Sequence, residues 1–308
     1  MIPLRKFLRL GCACIAVALL ASACSIRNAV LDDAADAFAA QGGAFAGEED
    51  PELIRDEAPF SLKLVESLLA ERPAHRGLLL AAARGFTQYA YAFVQQEADQ
   101  VESRDVAEAF RLRRRAAGLY RRARDYGLRG LTTGHGDPLQ ALRKDGAASL
   151  LAGRGRDDVA LLYWTGAAWA GWIALAKDDR EALADWPLAL ALLERALTLD
   201  EGFGGGALHS LFISLEMSRA ADPQLAQARA RAHFARAREL NGGRQAGPYV
   251  ALAESVAIPA QDRAEFTRLL QAALALDPDA DPPARLENHV LQKRARWLLD
   301  HADQYFLD

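Results

Sequence analysis

Apolar positions along this chain recur at helical spacing, and no stretch alternates Val, Ile or Thr with polar residues as a half-buried strand does. Ala, Leu, Arg and Glu dominate, all strong helix formers. Helix punctuation is frequent. Asp105 with Glu108 has the form of a capping box before a long helix that stops at Gly127. Asp137-Pro138 reads as N-cap and first residue of another helix. "GLRGLTTGHGDP" between them is the clearest loop, and residues 24–60 read as a partly flexible lead-in. The expectation is an all-α domain over residues 24–308.

Three segments share one pattern: "ALALLERALTLDE" (189–201), "ARAHFARARELNG" (230–242) and "FTRLLQAALALDP" (266–278). Their common alanines, Ala196, Ala237 and Ala273, recur at intervals of 41 and 36 residues. This is the second-helix pattern of a tetratricopeptide-type repeat, whose ideal period is about 34 residues. "AAGLYRRARDYG" (116–127) and "SLKLVESLLAERP" (61–73) fit the same core. The chain therefore predicts an α-solenoid of degenerate helical hairpins.

Two predicted helices are unusually aromatic. In "LLYWTGAAWAGWIALAKDD" (161–179), a wheel at about 100° per residue gathers Trp164, Trp169 and Trp172 within an arc of about 140°. Gly166, Ala167, Ala170, Gly171 and Ala174 occupy the other side. That bare side admits a close neighbour. The tryptophans either fill a core or line a cavity, since three indoles need N–H partners or water. In "GFTQYAYAFVQQEAD" (85–99), Phe86, Tyr89 and Phe93 form a stripe that runs into Gln96 and Glu97, which suits either a cavity mouth or a helix end entering solvent.

The N-terminus gives an address. Arg5, Lys6 and Arg9 precede an apolar run from Gly11 to Leu20 and then "ASAC", ending at Cys24. A basic region, a short apolar region and small residues before a cleavage point make a secretory signal peptide over residues 1–23. The run is shorter than the roughly 20 residues a bilayer span needs. The Cys-terminated site resembles a bacterial lipobox, with Ala21 where Leu is usual; the alternative is an ordinary cleaved signal. Of three cysteines, Cys12 and Cys14 leave with the signal, so the mature chain keeps only Cys24 and can form no internal disulfide. Ser25 after the Cys favours the outer membrane of a Gram-negative bacterium. Removing three cations takes the net charge from −4 to −7, a poor balance for nucleic-acid binding.

Catalytic signals are weak. The six histidines include no His-x3-His pair, and no Ser sits in a nucleophile elbow. "TGHGDP" around His135 reads as a turn, and "GFGGGA" follows a helix rather than a strand, against a phosphate loop. Neither a metal nor a cofactor is expected, and no enzyme. "RLRRRAAGLYRRAR" carries seven arginines from Arg111 to Arg124. It reads as a solvated helix face, or as a surface for an acidic partner or an anionic ligand.

"GLLLAAARGFTQYAYAFVQQEAD", "RRARDYGLRGL", "LLYWTGAAWAGWIALAKDD" and "GALHSLFISLE", in this order behind a lipobox and ahead of "LNGG" and "LALDPD", resemble the T component (TatT) associated with tripartite ATP-independent periplasmic (TRAP) transporters. The resemblance implies a lipid-anchored, periplasm-facing protein of cryptic tetratricopeptide helices, forming a trimer with a pore or cleft in each protomer. It also implies a TRAP substrate-binding protein as partner and a hydrophobic or carboxylate ligand. Tyr89, Phe93, Trp164, Trp169 and Trp172 are the candidate ligand-binding residues, and Cys24 the lipid attachment point. The alternative is a general tetratricopeptide scaffold lipoprotein that recruits envelope-assembly proteins. Replacing Cys24 with Ser should abolish acyl labelling and release the protein from the membrane fraction; continued membrane association of that variant would point to a different anchor.

Overall fold

The computed structural model describes residues 45–132, 137–219 and 221–307. Residues 1–23, read above as a signal peptide, and Cys24 and His135 lie outside the described residues. Helix α1 spans Pro51–Glu71. Helix α2, Arg76–Tyr89, continues through a π-helical stretch, Ala90–Gln95, into α3, Gln96–Val101. Then come α4 (Val106–Leu131), the short α5 (Pro138–Asp145) and α6 (Ala147–Leu151), and α7 (Val159–Leu175). Next are α8 (Arg180–Ala184), α9 (Trp186–Leu199), α10 (Ala207–Arg219) and α11 (Pro223–Leu240). The last are α12 (Gly247–Leu252), extended by a second π-helical stretch at Ala253–Ala257, α13 (Arg263–Leu274) and α14 (Arg285–Asp300). No strand occurs among the described residues. The fold is all-α.

Aspartates start these helices. The side chains of Asp50, Asp137 and Asp222 each accept from backbone N–H groups of the first turn, and a proline follows each. Asp105 and Asp262 do the same at α4 and α13. Asp50-Pro51 thus begins α1 inside the segment read as a lead-in, and α1 passes through Pro59 without ending. Gly127 likewise does not stop α4, which runs on to Leu131. Its role is packing: a Cβ there would collide with the Thr165 side chain on α7.

Consecutive helices stack as hairpins. α4 packs on α2 and α7, α7 on α9, α10 on α11 and α12, and α13 on α14. The repeat alanines Ala196, Ala237 and Ala273 are fully buried where the second helices of the hairpins meet their neighbours. Helix α7 is apolar on every side, as suits a buried central helix; Gly166 lets Leu193 of α9 approach so closely that a Cβ would meet its Cγ at 2.6 Å. Two main apolar cores result, and α10 serves both: Phe212 belongs to the first and Ile213 to the second.

The arginine run of α4 is used only in part within the fold, and most of its side chains stay exposed. Arg113 pairs with Asp99 at 3.1 Å and Glu102 at 2.6 Å, Arg122 pairs with Glu66 and lies over Phe86, and Arg111 pairs with Glu108. Arg124 is buried, with its guanidinium 5.3 Å from the ring centre of Trp169 and 4.6 Å from that of Trp172. Another pairing joins α10 to α11: His209 Nδ1 meets His233 Nδ1 at 2.7 Å, and His209 Nε2 meets Glu201 at 3.0 Å. Burial, with His209 and Arg219 nearby, lowers the His233 pKa to about 4, so this imidazole is neutral at pH 7.

The array curls until its ends touch. Arg294 of α14 pairs with Asp99 of α3 at 3.0 Å and with Glu254 of the second π stretch at 2.6 Å. Lys293 reaches Glu52 of α1, and Arg285 donates to the carbonyl of Gly47 at 3.3 Å.

Candidate functional site

Inside the curl lies a cavity of about 940 Å³. Its wall comes from α1, α2, both π stretches, α7, α10 and α14. Such a volume sits near the upper end of the roughly 300–1,000 Å³ typical of small-molecule sites.

Small residues make the room. Ala167, Ala170, Gly171 and Ala174 of α7 face the cavity, so part of the bare side of this helix admits empty space rather than a neighbouring helix. At Gly171 a Cβ would come 2.9 Å from the ring of Tyr120, whose hydroxyl donates to Gln95 Oε1 at 2.7 Å. The π stretches matter as well. A π turn shifts the following side chains around the axis and often marks a functional position. Tyr91 and Gln95 in the first and Glu254 and Ser255 in the second all line the wall.

The aromatic candidates divide. Tyr89, Phe93 and Trp164 line the cavity; the Tyr89 and Phe93 rings lie 5.6 Å apart, and Tyr163 contacts Trp164 edge-on at 4.8 Å. Trp169 and Trp172 do not line it. Trp169 is 0% exposed and Trp172 8%, both in the first core beneath Arg124. The reason is the position of α7, which is packed on by α2, α4 and α9 and so has core on most of its circumference. The Trp169 indole N–H has no acceptor among the described residues, while the face of its ring takes the cation–π contact with Arg124.

Polar groups in the wall are few. Ser210, Ser214 and Ser218 form an i, i+4, i+8 stripe along α10, and Ser255 donates to Ser214 at 2.8 Å. Glu254 is held by Arg294, yet burial keeps its pKa above the usual carboxyl value. Glu287 of α14 has its open surface toward the cavity; burial, with Asp281 nearby, raises its pKa too. Tyr91 and Tyr163 have raised pKa values, first through burial, with Glu254 adding to it at Tyr91 and Glu287 at Tyr163. Arg84 on α2 and Lys177, just past the end of α7, also line the wall. Glu254, Glu287 and Arg84 were not singled out in the sequence. Only Arg84 had a visible signal, as the lone charge in "GLLLAAARGFTQYAYAFV". No cluster of His, Cys, Asp and Glu that could hold a metal occurs among the described residues.

An array of helical hairpins closed around an apolar cavity defines a helical-repeat protein with an internal chamber. The chain belongs to the TRAP transporter T-component family, whose sequence model matches residues 47–306. It is also similar to an uncharacterized protein of Treponema pallidum (strain Nichols), 32% identical over 275 residues that cover 86% of this chain and 83% of the relative. The family makes this chain a transport-associated component of a TRAP system. No helix among the described residues is long and apolar enough to cross a membrane.

The division of the tryptophans has a measurable consequence. Trp169→Ala should cost about 3–5 kcal/mol in denaturant unfolding, as for a fully buried indole. Trp164→Ala should cost at most about 2 kcal/mol, because its ring borders empty space. Equal costs would contradict the placement of the two rings.

Proposed function

We propose that the chain is a lipid-anchored, periplasm-facing component of a TRAP system that binds the system's substrate-binding protein and holds an apolar ligand in its central cavity. The cavity carries this reading: about 940 Å³ walled by aromatic and small residues, in a chain of the TRAP transporter T-component family. An apolar chamber of this size is costly unless filled, since a packed core would bury the same side chains against one another. Tyr89, Phe93 and Trp164 would contact the ligand. Trp169 and Trp172 would support that wall from behind.

Cys24 would carry the acyl anchor, with the outer membrane as its location, and three protomers would assemble around their helical arrays. No chemical step is assigned to the site: its function is to bind and hand over. The competing reading is a scaffold that recruits envelope-assembly proteins through the same half-open cavity.

Envelope extract passed over the immobilised protein should yield the TRAP substrate-binding protein, and native mass spectrometry of the protein should show a retained small molecule. Recovery of envelope-assembly proteins in place of the substrate-binding protein would overturn the transport reading.

A further inference from the structure

The hairpin of α10 and α11 is joined by a hydrogen bond that holds a single proton. His209 Nδ1 on α10 and His233 Nδ1 on α11 stand 2.7 Å apart, so one ring donates and the other accepts. The neighbours decide which. Glu201, in the turn between α9 and α10, accepts two hydrogen bonds from Arg236 of α11, which hold its pKa down to about 2. It is therefore a carboxylate that only accepts, and its contact with His209 Nε2 at 3.0 Å places a proton on that nitrogen. A neutral His209 then has a bare Nδ1, and His233 donates to it from its own Nδ1.

An added proton has two places to go, and both are unfavourable. On His209 Nδ1 it would set two N–H groups against each other across 2.7 Å. On His233 Nε2 it would lie 3.8 Å from Glu216 Oε1, too far for a hydrogen bond. The Glu216 carboxylate is also already held by Arg219 of α10 at 3.0 Å and faced by Arg229 of α11 at 3.7 Å. Arg219 reaches Glu194 of α9 as well, at 3.0 Å. Phe212 covers the remaining face of the His233 ring, stacked on it with centres 5.2 Å apart. A pair of imidazoles that met solvent freely would have neither constraint.

The geometry points to the His209–His233 contact as an acid-sensitive latch: protonation of the pair parts α11 from α10, the helix that sets Ser210 and Ser214 into the cavity wall. The latch acts on that wall from its outer side and does not depend on what the cavity holds. Its direction follows from where protons bind. Burial, with His209 and Arg219 nearby, holds His233 at about 4 in the closed hairpin, against about 6.5 for a solvated imidazole. Between those values the opened state binds more protons. Closure is therefore complete above about pH 6.5 and weakens as the pH falls toward 4, a window in which Glu201 stays charged.

Hydrogen–deuterium exchange of the full chain at pH 7.5 and pH 5, corrected for intrinsic exchange, reads the latch. Protection of α10 and α11 should fall on the order of thirtyfold at pH 5, the ratio that a pKa of about 4 against 6.5 gives, while α2 and α4 change little. His233→Asn keeps an N–H donor for His209 and leaves Glu201 and Glu216 in place, but it has no imidazole to titrate. Its protection in α10 and α11 should be the same at both pH values. An equal fall in the variant, no fall in the wild type, or a fall shared evenly by α2 and α4 would overturn the latch. A second measurement needs no variant. Imidazole 15N shifts of the wild type at pH 7.5 should show His233 protonated at Nδ1 and His209 at Nε2. Protonation at Nε2 in both rings would leave no shared proton and overturn the proposal.

Discussion

Arg294 joins parts of the chain that are far apart in sequence. Its guanidinium holds Glu254, 40 residues before it, and Asp99 of α3, which Arg113 also holds. The residue is only 7% exposed, its plane lies 4.8 Å from the Trp297 ring centre, and one terminal nitrogen remains unsatisfied. Buried ion pairs seldom add much net stability, but removing one partner leaves the others as uncompensated charge. Such a cluster is better at fixing one arrangement than at strengthening it. The arrangement fixed here is closure of the helical array.

Everything at the site depends on that closure. In an open array the inner faces of α1, α2, α7 and α10 would form a groove exposed to water. With α14 brought against the N-terminal hairpin they become the wall of a chamber, and Glu287 and Val290 of α14 complete it. The two π stretches lie where curvature and lining coincide. One sets Tyr91 and Gln95 into the wall; the other sets Glu254 to meet Arg294 and Ser255 to meet Ser214. Burial then acts on the groups left inside. The carboxyl pKa values of Glu254 and Glu287 rise with it.

Fold class and repeat pattern were legible because they depend on periods and caps. Buried alanines at 196, 237 and 273 and aspartate-proline starts are local signals that packing did not override. The aromatic helix was only half legible. A wheel places Trp164, Trp169 and Trp172 on one broad face, but it does not say where the core ends along the helix, and the boundary runs between them. Gly127 misled for a similar reason: the same residue that ends helices also permits close packing within one. The closure left no local trace at all, because Arg294, Glu254 and Asp99 are ordinary charges until the fold brings them together. The π stretches have no periodic signature either.

Closure is the central claim, and a distance across the seam tests it most directly. Spin labels at the exposed positions Asp56 on α1 and Arg296 on α14 report the separation of the two ends by double electron–electron resonance. The account predicts one narrow distance distribution in the wild-type background. It predicts a broad one when Arg294→Met removes the clasp, with helix content retained by circular dichroism. A broad distribution in the wild-type background, or a narrow one unchanged by the substitution, would contradict it.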